Sequence, residues 1–430
     1  MMFINTKDEN FTSSFDELLL RGQMDIAEVS SIVGTLLNEI KIDKNKALKE
    51  HIAKFDKWTP LSDDDLKISQ KSMSEAYNNI DAKLKSALHL AYDRIKIYHE
   101  KQKPKSWFDT EENGTILGQK VTPVDSAGLY IPGGKAAYPS SLLMNVIPAQ
   151  VAGVENIIVC TPTPNNEVNE LLLAACHLCG VSEVYKVGGA SAVGAMAYGT
   201  ETIPKVDVIT GPGNIFVATA KKMVFGDVNI DMIAGPSEIG ILANDSANPS
   251  HLAVDLLSQA EHDEMASSIL ITPSQKLADE VSIEIENWLK KLPREEIARK
   301  SIEERGAIIV TQDMDEAIKL MNEIAPEHLE IATDNSFEFL PFIKHAGAIF
   351  LGHNTPEAIG DYVAGPNHTL PTGGTAKFFS PLGVENFMKK TSIISFSKKG
   401  INEIGEACAL IAKTEGLTAH EQSVRVRLSN

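Results

Sequence analysis

Val206-Asp207-Val208-Ile209-Thr210 runs straight into Gly211-Pro212-Gly213-Asn214, a short β-branched strand closed by a glycine turn. Three similar runs lie upstream, each closed by glycine or proline. Ala127-Gly128-Leu129-Tyr130-Ile131 meets Pro132-Gly133-Gly134, Asn156-Ile157-Ile158-Val159-Cys160 meets Thr161-Pro162, and Val184-Tyr185-Lys186-Val187 meets Gly188-Gly189. Helix-length stretches such as 167–179 and 216–224 separate them. Strands alternating with helices predict a mostly parallel sheet covered on both faces. In such sheets a ligand is expected beyond the carboxyl ends of the strands, where glycine lets backbone approach a phosphate at a helix start. No turn has the G-x-G-x-x-G spacing: 188–194 misses it, and Phe216 stands where the third glycine after Gly211 would be. Taken alone, the turns fit a nucleotide site and plain connections alike.

Outward from this block the alternation resumes. Strands are expected at 237–244, 268–272, 307–311 and 347–351, with helices at 248–265, 276–292 and 313–324. A glycine- and proline-rich stretch at 352–374 precedes a strand at 392–396, a helix at 401–415 and a short polar tail. The first 110 residues read as packing helices at 15–21, 24–37 and 72–101, around a polar, broken segment at 43–65. The fold class is α/β, with two domains and helical additions at both ends.

The chain has 430 residues, 58 acidic against 40 basic, for a net charge of −18. That balance argues against nucleic-acid binding, which needs clustered basic side chains. A composition 43% hydrophobic and 23% charged is that of a globular protein. No apolar run approaches the roughly 20 residues needed to span a bilayer, and no secretory signal is visible at the amino terminus. With four cysteines and no disulfide framework, the expectation is a soluble cytoplasmic protein.

Chemistry-bearing residues are scattered. Gln259 and His262 are three apart on an expected helix and share a face with Asp255, a pattern open to a zinc-type ion or to plain solvation. Glu327-His328 follows Ala325-Pro326, where proline stops the helix and leaves two adjacent proton acceptors just past its end. Asp361 and His368 lie in a glycine-rich loop, and Glu415 and His420 at the end of the last helix, where a capping histidine is the plain alternative. Cys176-His177-Leu178-Cys179 lacks the second pair that a structural zinc site needs, so these cysteines read as apolar helix residues.

Together the segments are more specific than any one. GLYIPGG at 128–134, VGGASAVGAMAYGTE at 187–201, KVDVITGPGN at 205–214, DMIAGPSE at 231–238, LLSQAEHD at 256–263, APEHLE at 325–330, GDYVAGPNHTLPTGGTA at 360–376 and EGLTAH at 415–420 resemble histidinol dehydrogenase. The resemblance runs from about residue 25 to the end. It implies a zinc enzyme, one ion per subunit, that oxidises L-histidinol through the aldehyde to L-histidine with two NAD⁺. Zinc ligands would be Gln259, His262, Asp361 and His420. Substrate contacts would be Ser237, His328, His368 and Glu415 along with those ligands. NAD contacts would fall on Tyr130, Ser191 and Asn214, with Ser191 a departure from the usual glutamine. His328 is implied as the base for the alcohol and Glu327 as the group activating water. Two incomplete Rossmann-like domains are implied: 25–126 with 237–380, and the NAD domain 127–236. To these are added an extension at 1–24 and a tail at 381–430 exchanged in a homodimer. The nearest alternative is a relative acting on another small polyol or sulfonated alcohol, from which His368 and Glu415 would distinguish it. A silent metal-binding protein would have no need of Glu327 and His328.

Overall fold

The computed structural model describes residues 1–21, 26–133 and 138–428. The expected helix start at 24 and Gly134 of the first glycine turn lie outside them. In chain order the strands are β1 (Met2–Asn5), β2 (Trp107–Thr110), β3 (Ile116–Pro123), β4 (Ser126–Tyr130), β5 (Asn156–Thr161), β6 (Glu183–Lys186), β7 (Val208–Thr210), β8 (Asn229–Ile230), β9 (Glu238–Ala243), β10 (Ser267–Thr272), β11 (Ala307–Val310), β12 (His328–Ala332), β13 (Ala348–Leu351) and β14 (Met388–Ser395).

Two sheets are wholly parallel. The first runs β6-β5-β4-β7-β8 and the second β1-β11-β10-β9-β12-β13. Leaving β1 aside, each has the 3-2-1-4-5 order of a doubly wound sheet without its sixth strand, so both are incomplete Rossmann-like sheets. Their central strands are buried on both faces, as the near-continuous apolar runs require. On β4, Leu129 joins a core with Leu142 and Val146, while Tyr130 joins another with Val193 and Val217. A third element, absent from the expectation, is the antiparallel ribbon β14-β3-β2.

The amino-terminal helices pack differently from the expected domain boundaries. Residues from 26 to 100 share their cores chiefly with the first sheet: Val33, Leu37 and Leu48 pack against Val193 and Met196, and Met73, Leu88 and Ile95 belong with Leu143 and Leu173. The helix Ala82–Glu100 also reaches the 237–380 part, where Arg94 donates to the Val363 and Ala364 carbonyls. The first 21 residues go to the second sheet, where β1 pairs with β11 and Phe15 and Leu18 pack near Ile309 and Met321. Periodicity shows which face of a helix is apolar; it does not say which sheet receives it.

The segment 43–65, expected to be broken at 57–60, does leave the helix there, after Phe55; within the helix Lys44 alone departs, its backbone turning to φ 51°. The Lys44 ammonium donates to the carbonyls of Tyr198 and Gly199, satisfying the end of the Gly189–Tyr198 helix. Further departures are β2, β3 and β12, the helix Glu295–Arg305, and the helix Thr418–Leu428 where a polar tail was expected. Among the described residues no helix is long and apolar enough to cross a membrane.

Candidate active site

The helix Met314–Ile324 ends on Ala325, which takes the left-handed conformation (φ 51°) and donates its N–H to Met321. Pro326 then blocks continuation, and Glu327-His328 enters β12. Next to it, β9 begins at Glu238, and His328 is in register with Ile239. These two strands flank the switch point of the second sheet. Both residues sit at the amino edge, the edge opposite to the one that parallel-sheet rules favour.

His328 Nδ1 lies 3.1 Å from the Glu238 carbonyl, which can only accept, so this nitrogen carries the proton. In the neutral ring Nε2 would then carry the free lone pair, and it is buried without a hydrogen-bond partner. Asp361 Oδ1 is its nearest charged neighbour, at 3.5 Å. Burial opposes charge on the imidazole, but the carboxylates of Glu357, Glu327 and Asp361 outweigh it and raise the His328 pKa. Glu327 Oε2 accepts the Glu238 N–H at 2.9 Å. Burial, against the pull of His328, pushes Glu327 up to about 7. Burial and the neighbouring Glu327 push Glu238 up to about 8. Ser237, half-buried, precedes β9 at the same edge.

The helix Pro249–Ala260 starts with Asn248 accepting from the Ser250 and His251 N–H groups and Pro249 at its first position. Its far end delivers buried Gln259 and, one turn on, exposed His262. Asp361 comes from a single π-helical turn, Gly360–Ala364, a form enriched at functional sites. Ligand atoms of His262, Glu357 and Asp361 lie within 4.8 Å of one another. With its nitrogen turned to Glu357, the Gln259 amide donates to both carboxylate oxygens at 2.5 and 3.0 Å, which leaves the amide oxygen as a free donor atom. One imidazole nitrogen with carboxylate and amide oxygens suits a zinc-type divalent cation. The charge balance does too: Glu327, Glu357 and Asp361 crowd around a single histidine.

His368 is held at both nitrogens, by the Asp361 carbonyl (3.0 Å) and Ser141 (3.3 Å). With His328 and Asp361 it lines a cavity of about 1080 Å³. Ser141 lies on the helix Pro139–Ala152, which also carries Asn145. Asn145 accepts from Thr210 at the end of β7 (2.7 Å) and reaches Thr369 (3.5 Å). One helix thereby ties the acid–base centre to the glycine turns of the first sheet.

Those turns form a second cleft, of about 470 Å³, at the carboxyl edge of β4–β7, lined by Tyr130, Gly189, Ser191 and Asn214. Gly211 permits the approach: with φ 119°, a Cβ there would lie 2.0 Å from the Tyr130 carbonyl. Its N–H donates to buried Asp231, which pairs with buried Lys221, and Lys221 holds the Gly211 carbonyl. Asn214 caps the helix Ile215–Val224 by accepting from Phe216 and Val217.

Gln259, His262, Glu327, His328, Asp361, His368 and Ser237 thus lie at or around one edge. Glu415 and His420 do not join them: both are exposed on the tail and line neither cleft. Missed from sequence were Glu238 and Glu357. Glu357 sits one helical turn before Asp361, a spacing that a search for paired carboxylates could have found. Cys176 and Cys179 are buried helix-end residues, and burial pushes the Cys176 thiol up to about 12, as an inert core thiol requires.

Fold and site define a two-sheet α/β enzyme with a glycine-turn cleft and a separate acid–base centre fit for a divalent cation. Residues 19–428 match the family described as histidinol dehydrogenase. The histidinol dehydrogenase of Sulfurimonas denitrificans is 83% identical over 428 residues, covering all of both chains, and that of Wolinella succinogenes 66% over 425 residues, 99% of this chain and 98% of the relative. The crystal structure of histidinol dehydrogenase from Elizabethkingia anophelis superposes with a TM-score of 0.94 at 37% identity, over 100% of this chain and 98% of that one. The chain belongs to the histidinol dehydrogenase family.

Proposed function

We propose that this chain oxidises L-histidinol to L-histidine in the cytoplasm, using NAD⁺ twice and one zinc ion per subunit. The observation that carries the reading is His328, whose Nδ1 is committed to a carbonyl while Nε2 waits buried and unpaired. Nε2 would take the alcohol proton, and NAD⁺, when bound at the glycine-turn cleft, would supply the hydride acceptor. Glu327, poised near neutrality by burial, takes a proton from the water that hydrates the aldehyde before the second hydride leaves. Gln259, His262 and Asp361 would hold the zinc, with His420 of the partner subunit, and Glu357 orients Gln259. Bound there, a dication would orient the substrate and offset the carboxylates that otherwise keep His328 protonated. His368 and Ser237 would contact substrate, and Tyr130, Ser191 and Asn214 the cofactor.

The tail supports a homodimeric partner. β14 pairs with β3, but the helices Lys398–Thr414 and Thr418–Leu428 pack chiefly on each other. Ile394, Leu410, Ile411 and Val426 are 61–70% exposed, with Phe108 of the adjoining ribbon at 67%. An apolar surface of this extent fits a docking face. A homodimer sharing tails would cover it and bring Glu415 and His420 to the other subunit's site. NADH appearance with histidinol, abolished by prolonged chelation and restored by Zn²⁺, tests the function. Turnover by protein shown to be metal-free would refute it.

A further inference from the structure

Ser191, in the first turn of the Gly189–Tyr198 helix, does not face the glycine-turn cleft alone. His51 reaches it from the Ile26–Phe55 helix: Nδ1 is 2.9 Å from Ser191 Oγ and Nε2 is 2.8 Å from Glu39 Oε2. Glu39 and His51 belong to one helix and stand twelve residues apart, roughly 18 Å on a straight axis at ~1.5 Å per residue. The turn at Lys44 folds the two halves together and closes that gap. His51 and Ser191 are buried, Glu39 opens to solvent, and His51 lines the cleft beside Ser191, Tyr130 and Asn214.

The directions of these bonds follow from the groups. A carboxylate only accepts, so Nε2 carries the proton toward Glu39. In a neutral imidazole Nδ1 is then an acceptor, and Ser191 must give it the single hydroxyl proton. What Ser191 turns to the cleft is a pair of lone pairs. We propose that His51 is a positioning residue for the cofactor: the Glu39–His51–Ser191 relay sets Ser191 as a hydrogen-bond acceptor for a ribose hydroxyl or carboxamide N–H of the dinucleotide. Phosphate oxygens also only accept, so this hydroxyl does not serve them. This rests on the reading of the cleft as the cofactor site.

The test is the dissociation constant of NAD⁺ from the free, zinc-loaded enzyme, with kcat and both KM values. His51→Leu and Ser191→Ala should each weaken NAD⁺ about tenfold, the loss of one hydrogen bond, with the histidinol KM unchanged. The double variant should be no worse than either, because both remove the same bond. His51→Gln, whose amide can donate to Glu39 and accept from Ser191, should stay within about threefold of the parent. Asn214→Ser keeps a good helix cap but loses the amide, and it reports on the cleft itself. If it leaves NAD⁺ binding unchanged, the cleft is not the cofactor site and the role of His51 falls with it. If it weakens NAD⁺ while Ser191→Ala does not, the relay alone is overturned. Additive losses in the double variant overturn it as well. Should His51→Leu fail to fold, Ser191→Ala set against His51→Gln still decides.

Discussion

Glu238→Gln, studied in protein stripped of divalent cations, tests the electrostatics of the site through stability. Glu238 is buried, its Oε2 accepts the Gly373 N–H, and its pKa is pushed from 4.5 to about 8 by burial and by Glu327. In the unfolded chain the same carboxyl titrates near 4.5. Above that pH the unfolded chain releases a proton that the folded chain keeps, so the folded state binds more protons. Stability conferred by this group is therefore fully present below pH 4.5 and is lost as pH rises toward 8. Between pH 5 and 8 the loss is about three units at ~1.4 kcal/mol each, or about 4 kcal/mol as an upper figure. Glutamine has the same shape, can still accept from Gly373, and has no proton to lose. The variant should gain on the parent by up to about 4 kcal/mol between pH 5 and pH 8. Urea unfolding in a chelator at several pH values, with m compared throughout, measures it. Parent and variant curves that stay parallel across that window would refute the buried, proton-retaining Glu238.

Glu327→Gln should slow aldehyde oxidation by ~10²–10⁴ and alcohol oxidation less; equal losses in the two steps, assayed separately, would remove Glu327 from water activation. Cys176→Ala with Cys179→Ala should keep turnover within a few-fold while lowering the melting temperature through lost core volume; a folded, zinc-loaded double variant without activity would contradict the packing role. His262→Ala and His420→Ala homodimers, each inactive, should regain about one working site per hybrid when unfolded and refolded together, because tails in trans collect both lesions at one site; hybrids confirmed by mass that stay inactive would place the tail in cis.

Much of the fold was legible locally. β-branched runs ending in glycine or proline marked β4 to β7 and the cleft at their carboxyl ends, because burial on both faces and a tight turn each leave a local mark. The motif residues were legible too: Gln259 and His262 share a helix end, and Pro326 marks the entry to Glu327-His328. What the local pattern withheld was partnership. β1 and β12 are four- and five-residue strands, and a strand so short is stabilised by the neighbour it pairs with, not by its own composition.

By itself the sequence determined an α/β chain with two series of strands, glycine turns shaped for close backbone approach, and the side chains proposed to carry the chemistry. Only the tertiary structure decided where these meet. It put 26–100 chiefly on the first sheet, and it set the acid–base centre at the amino edge of β9 and β12. It also enclosed Glu238 and Glu357 in that centre, and brought His51 to Ser191 across 140 residues of chain. The reason is physical: periodicity records whether a side chain is buried, which is a property of one element. A hydrogen bond, a shifted pKa or a cation site belongs to pairs of groups, and folding alone brings those pairs together.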